Sequence, residues 1–221
     1  CLVVRREGDM VRRYCHVGTG NYNAATAGLY TDVGLFTCDD ALTEDVSDLF
    51  NHITGFGRQP SYRQLLVAPQ HIRKGLLAEI ERVTQAHRDG TPGRIVMKMN
   101  ALVDGPIMKA LYQASQAGVP IDLVVRSIVG ITPGVPGISE NIRVRSVVGR
   151  FLEHSRIFSF RSGDHTRVWI GSADMMVRNL DHRIEAITPV DDPDCARDLE
   201  LILATMLADT ALAWSLGSDG R

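Results

Sequence analysis

The stretch Arg150–Asn179 constrains the fold more than any other part of this sequence. Its apolar run Ile157-Phe-Ser-Phe160, polar turn Arg161–Arg167 and second run Val168-Trp-Ile170 are short segments rich in β-branched and aromatic residues, split by Gly163-Asp164. That pattern predicts a β-hairpin. His154 and Arg156 lie two apart at the entry to the first strand, so they share a face. Gly171-Ser172-Ala173-Asp174 leaves the second strand about level with His154, and Arg178-Asn179 follow. An imidazole, a guanidinium, a hydroxyl, a carboxylate and flexible backbone amides thus converge. Such a set suits attack on, or stabilisation of, a phosphoryl centre.

The same unit recurs, incompletely, at the amino end. Cys1-Leu-Val-Val4 is an apolar run, Arg5–Asp9 a polar turn, and Val11–Val17 returns toward Gly18-Thr-Gly-Asn21. Gly8-Asp9 lies over Gly163-Asp164, and Gly18–Asn21 over Gly171–Asp174. Carried backwards, the alignment puts the counterpart of His154 just before Cys1. With no initiator Met, the chain is expected to be a fragment cut just after the first copy of its own active-site motif.

Composition bounds the alternatives. A length of 221 residues holds one large or two modest domains. A formal net charge of −2 gives no nucleic-acid or membrane signal, so any anion site must be local. Cys1, Cys15, Cys38 and Cys195 form no CxxC pair, which argues against zinc and a disulfide framework and fits a reducing cytoplasm. The given residues hold no long apolar run, and no signal peptide is expected.

Periodicity predicts a strand over Leu29–Thr37 and a helix opening at Thr43-Glu-Asp with Val46, Leu49, Phe50 and Ile53 on one face. Gly55–Pro60 breaks the chain and is the expected boundary between residues 1–60 and 61–221. Beyond it come strands at Leu65–Ala68, Arg94–Asn100, Ile121–Arg126 and Arg143–Val147. Helices are expected at Gln70–His87, Pro106–Gln116 and from Asp194 to about Trp214. This alternation predicts an α/β layered fold with largely parallel pairing, to which the hairpin adds an antiparallel part.

Two copies of a His-x-Lys/Arg strand followed by a Gly-Ser/Thr turn resemble the phospholipase D architecture, in which two halves face each other across a phosphoryl site. His16–Asn23, Leu29-Tyr-Thr-Asp32, Leu66-Val-Ala-Pro69, Lys98–Asp104, Phe151–Arg156 and Gly171–Asn179 resemble, more specifically, the C-terminal region of bacterial polyphosphate kinases that autophosphorylate on histidine. The resemblance implies two phospholipase D-like α/β domains, the first (1–60) present only as its C-terminal part and the second (61–221) nearly complete. It implies reversible transfer of the terminal phosphate of ATP to inorganic polyphosphate through a phosphohistidine expected just upstream of Cys1. Magnesium assists in that family through residues that would also lie upstream, so no metal ligand is expected among these residues. A homo-oligomeric cytoplasmic enzyme, with peripheral contact to the inner face of the cell membrane and no nucleic-acid partner, is the accompanying expectation.

By this resemblance Tyr30, Arg126 and His154 contact the nucleotide and its phosphates, and each role has a plain structural alternative. His154 is a general acid/base or phosphate donor, against a structural histidine. Arg126, at the carboxyl end of an apolar strand, grips phosphate, against a surface ion pair. Tyr30 stacks on adenine, worth roughly 1–3 kcal/mol, against a half-buried strand tyrosine. Arg156 supplies positive charge, against a salt bridge to Glu153 or Asp174. Asn21, Ser172, Asp174, Arg178 and Asn179 are supporting residues that orient phosphate or imidazole, although such turn residues often only cap backbone. His16 reads as structural, and the loop Gly130–Gly137 as a connector rather than an anion-binding nest. Two other readings stand beside the kinase: a phospholipase D-like phosphodiesterase or nuclease, and a non-catalytic nucleotide-binding or assembly module. On the kinase reading, this chain incubated with γ-labelled ATP and magnesium should form no acid-labile phosphohistidine; strong label on His16 or His154 would overturn the assignment.

Overall fold

Both hairpins form around a glycine that supplies the left-handed turn a side chain would resist. The computed structural model describes residues 1–55 and 61–221. Strands β1 (Leu2–Glu7) and β2 (Met10–Gly18) close on Gly8 at φ +61°, and the later hairpin closes on Gly163 at φ +56°. After β2 come a short helix α1 (Ala24–Ala27), strands β3 (Tyr30–Thr31) and β4 (Gly34–Thr37), and helix α2 (Asp40–Ile53). The predicted single strand over Leu29–Thr37 is thus two, in different sheets. β4 pairs with β2, whereas β3 pairs in parallel with a two-residue strand, β9 (Leu152–Glu153), far along the chain. The break falls at Asp32-Val33, where Val33 exchanges hydrogen bonds with Thr19 and Asp32 turns away from the strand.

Helix α2 starts earlier than predicted because Asp39 accepts from the Leu42 amide at 2.9 Å and caps it. Leu42 and Val46 are buried, but Phe50 and Ile53 are 44% and 47% exposed, so the apolar stripe outruns what covers it. Asp45 is buried, and its carboxylate accepts the backbone amides of Arg63, Gln64 and Leu65 at 2.7–3.0 Å. It ties α2 to the start of the second half. Of the expected boundary Gly55–Pro60, residues 56–60 lie outside the described residues.

The second half runs β5 (Leu66–Val67), α3 (Ile72–Arg88), β6 (Gly93–Met99), α4 (Gly105–Gln116), β7 (Ile121–Val125), β8 (Ile142–Val147) and then β9. The hairpin β10 (Ile157–Ser162) and β11 (His165–Gly171) follows, then α5 (Val177–Asp181), β12 (Ala186–Pro189), α6 (Pro193–Ala208) and β13 (Ala213–Leu216). Eight strands form one sheet in the order β13-β8-β7-β6-β10-β11-β12-β5. The fold is α/β as expected, but the pairing is not largely parallel. Within this sheet, among the described residues, only β6–β7 and β7–β8 are parallel, the first pair joined through α4 and the second by a loop. The predicted helix to Trp214 stops at Ala208. Asp209 accepts the amides of Ala211 and Leu212, Arg145 binds the carbonyls of Met206 and Leu207, and the chain returns as edge strand β13 with Trp214 73% exposed.

Alternation along the strands loads both faces of the sheet. Ile95, Met97, Phe158 and Phe160 pack with Ile72, Leu76, Ile80 and Val83 of α3 and with Ile107 and Leu111 of α4. On the other face Val96, Ile157, Val168 and Ile170 meet Leu199 and Leu203 of α6. Each such side chain contributes about 1.5–3 kcal/mol on full burial. Among the described residues, no helix is long and apolar enough to cross a membrane. β12 approaches β11 so closely at Gly171 that an added Cβ would collide with the Ala186 carbonyl. Gly171→Ala should therefore lose about 1–3 kcal/mol of stability in urea unfolding, and an unchanged midpoint would show that β12 gives way freely.

Candidate active site

The carboxyl ends of β6, β7 and β11 and the amino end of β10 meet at one end of the sheet. There they deliver Asn100, Arg126, Ser172 to Asp174, and His154 to Arg156. The first half contributes Thr19 and Asn21, just after β2, and Asp32, between β3 and β4. A cavity of about 380 Å³ joins them, lined by Thr19 and Asn21 from one half and His154, Arg126, Arg156, Arg178 and Arg183 from the other. Four arginines against two carboxylates, Asp174 and Glu185, make it an anion site.

His154 is buried, and its Nδ1 lies 2.9 and 3.1 Å from the two carboxylate oxygens of Asp32. An ionised carboxylate only accepts, so Nδ1 carries the proton and donates it to Asp32, leaving Nε2 with a free lone pair. Nη1 of Arg156 stands 3.1 Å from both ring nitrogens. In the ring plane such a position would collide with Cε1, so the guanidinium lies over the ring face. The Tyr30 ring also packs on the imidazole, centroids 4.7 Å apart. Burial lowers the His154 pKa from its ordinary 6.5; Asp32 pulls it back up, while the charges of Arg156 and Arg126 push it further down. The ring is neutral at neutral pH.

Arg156 is buried and committed to the ion pair that stood as one of its alternatives, meeting Asp174 at 2.9 Å. It also donates to the carbonyls of Thr19 and His154, both at 2.9 Å. For Asp174, burial acts to raise the pKa, but Arg156 and Asn100 outweigh it and hold the carboxyl below its usual range. The Asn100 backbone donates to Asp174 at 2.7 Å, and the Asn100 side-chain oxygen accepts from Arg126 Nε at 2.9 Å. Arg126 is half-buried and lines this cavity, and it also lines a second cavity of about 440 Å³ with Tyr30 and Phe151. Ser172 donates to Glu185, and Asn179 Nδ2 donates to the same carboxylate at 2.6 Å. The buried Oδ1 of Asn179 has no partner among the described residues. Asn21 and Arg178 are exposed at the cavity rim.

The structure thus brings together the candidate residues, with Tyr30 set against His154 in the wall of the adjoining cavity. Sequence reasoning missed Asp32, Thr19, Asn100 and Glu185. Thr19 donates to Asp32 at 2.7 Å and so braces the acid that orients His154. A carboxylate interrupting the apolar alternation of Leu29–Thr37 was the one available signal for Asp32. His16 is held by Tyr22 at 2.6 Å beside a different cavity, and the amides of Thr132, Gly134 and Val135 are satisfied within their own surroundings, which leaves that loop a connector. Among the described residues no group of three or more His, Cys, Asp or Glu side chains can hold a metal. The folded His154 binds its proton less readily than the unfolded one, so its contribution to stability is complete above about pH 6.5 and is lost as pH falls below it. NMR titration of the ring should give a midpoint below 6.5, lowered further by Asp32→Asn; a midpoint at or above 6.5 would contradict this environment.

Comparison with known proteins follows this geometry closely. Residues 1–59 match the family described as polyphosphate kinase C-terminal domain 1, and residues 65–221 that described as polyphosphate kinase C-terminal domain 2. The polyphosphate kinase of Streptomyces coelicolor is 54% identical over 220 residues, which are 100% of this chain and 30% of that protein. That of Synechocystis sp. is 56% identical over 219 residues, 99% of this chain and 30% of its own length. The chain therefore spans about a third of the curated relatives it matches. The crystal structure of polyphosphate kinase from Porphyromonas gingivalis superposes with a TM-score of 0.92 at 38% identity, over 98% of this chain and 33% of that one. Nuc, a phospholipase D family member from Salmonella typhimurium, covers 70% of this chain at a TM-score of 0.52 and 18% identity, a likeness of fold alone.

Proposed function

This chain belongs to the polyphosphate kinase family, and from that premise we propose that it forms one wall of a site that moves the terminal phosphoryl group of ATP to inorganic polyphosphate and back. The observation that carries the reading is the His154–Asp32 pair opening onto an arginine-lined cavity. In this proposal the phosphoryl group passes through a phosphohistidine supplied by the first His-x-Lys motif of the longer enzyme. The P–O bond to the nucleotide breaks as the N–P bond forms, and the N–P bond then breaks as a polyphosphate oxygen attacks.

His154 faces that exchange with Nε2 unprotonated and Nδ1–H fixed on Asp32, the form that takes a proton from, and returns one to, the oxygen entering or leaving phosphorus. Arg126 spends Nε on Asn100 and offers its remaining donors to phosphate oxygens, as do the exposed Arg178 and Arg183. Arg156 acts through its charge over the imidazole face and its hold on Asp174 rather than as a free phosphate ligand. Tyr30 and the roughly 440 Å³ cavity beside it offer an aromatic wall for the base.

The described residues do not build a magnesium cage. Asp174 is taken by Arg156 and Asn100, and Glu185 by Ser172 and Asn179. Homo-oligomeric assembly belongs to the same proposal. Apolar side chains left exposed on β1, β2 and β13, namely Val3, Val4, Met10, Val11 and Trp214, support contact with further polypeptide.

In the full-length enzyme, His154→Ala should cut polyphosphate synthesis by about 10²–10⁴-fold with the thermal transition retained, and Arg126→Lys should raise the KM for ATP. Normal turnover in His154→Ala would overturn the role given to it. Phosphodiester hydrolysis with no polyphosphate formed would favour the nuclease reading instead.

A further inference from the structure

The largest almost fully buried side chain near the site is a lysine. Lys98, on β6, is 2% exposed and occupies a position whose strand neighbours are core residues. Its Nζ donates to the Ser155 carbonyl at 3.0 Å and the Ser155 hydroxyl at 2.8 Å, and stands 3.4 Å from Glu153 Oε2. The ammonium has three donors and finds three acceptors, all on the residues that flank His154 in the chain.

A buried ion of this kind is not explained by stability. Methionine has the same reach and would fill the space without the desolvation cost, and replacement of buried ions by well-packed apolar groups is often neutral or favourable. What methionine would not do is fix the segment. Residues 154–156 join β9 to β10, with the His154 and Ser155 amides both bonded to the Thr31 carbonyl. Asp32 and Tyr30 hold the ring itself, and the backbone that carries it is anchored on either side. Arg156 holds the cavity side through Asp174 and Thr19; Lys98 holds the core side.

We propose that Lys98 is a positioning residue, whose ammonium, clasped by Ser155 and Glu153, fixes the orientation of His154 toward phosphate. This rests on reading His154 as the proton-handling group of the proposed phosphotransfer. The charged groups facing the ammonium are Glu153 at the end of β9, Arg156 at the entry to β10 and Asp32 after β3. Burial lowers the Lys98 pKa to about 8, against the opposing pull of Glu153. The clasp is therefore charged at neutral pH and lets go under mildly alkaline conditions.

The test follows the His154 ring by nitrogen NMR in the protein across the alkaline range, well above the ring's own titration. The expected result is a second inflection near pH 8, at which His154 reports the loss of the Lys98 proton, and its disappearance in Lys98→Met together with a weakened preference for the Nδ1–H tautomer. Flat His154 shifts in the native protein, or the same inflection in Lys98→Met, would overturn the proposal. Should Lys98→Met not fold, Ser155→Ala keeps the ammonium and removes one acceptor; the inflection must then move to lower pH, and an unmoved one counts against the idea. In the full-length enzyme Lys98→Met should lower kcat by about 10²-fold with the KM for ATP unchanged, and an undiminished kcat would sink it. Absence of any transfer by the native enzyme would refute the phosphotransfer reading while leaving the NMR outcome to decide on Lys98.

Discussion

The hydrogen bond from His154 to Asp32 is the interaction on which the site depends. It joins residues 122 apart in sequence, one from each half of the chain, and it decides at once which ring nitrogen is free and where the ring points. Its supports come from both halves. Thr19 braces Asp32, and Arg156 reaches across from beside His154 to the Thr19 carbonyl. Even glycine serves it: a Cβ at Gly20 would collide with the Asp32 carboxylate, so the approach of the turn to the acid requires the smallest residue.

Around that bond the charges are arranged in compensated pairs rather than as a simple basic patch. Arg156 and Asp174 neutralise each other in the interior, and Asn100 satisfies what remains of Asp174 while tethering Arg126. Breaking either member would strand a buried charge, typically at a cost of about 3–5 kcal/mol. The less compensated positive charge is left at the rim, on Arg126 and Arg178 and on Arg183, which meets Glu185 only at 3.9 Å, where an anion can neutralise it. A site of this design favours an anion while keeping the imidazole uncharged, because the arginines beside it disfavour a proton on His154.

Much of this was legible before any coordinates. Hairpin, turn glycine and His-x-Arg entry are local features, written in residues next to one another, and the repeat at the amino end revealed that the unit occurs twice. The strands and helices that carry core side chains were legible for the same reason, since period and apolarity are local. What was not legible depends on partners distant in sequence. Asp32 broke its strand to meet a histidine from the other half, and the helix expected to reach Trp214 yielded to Asp209 and to Arg145 of β8. The preference for parallel pairing failed because alternation of strand and helix says how elements follow one another, not which strand inserts between which.

The minor sheet formed by β3 and β9 has a kinetic consequence. It is only two residues wide on each side, Tyr30 and Thr31 against Leu152 and Glu153, and it is the backbone ladder that lays the Asp32 segment alongside the His154 segment. So small a ladder, outside the eight-stranded sheet, is the kind of element that frays on its own while that sheet stays intact. Each such opening would part acid from imidazole and each closing would rejoin them. The lifetime of four paired residues, rather than the durability of the whole domain, would then govern how often the centre is competent.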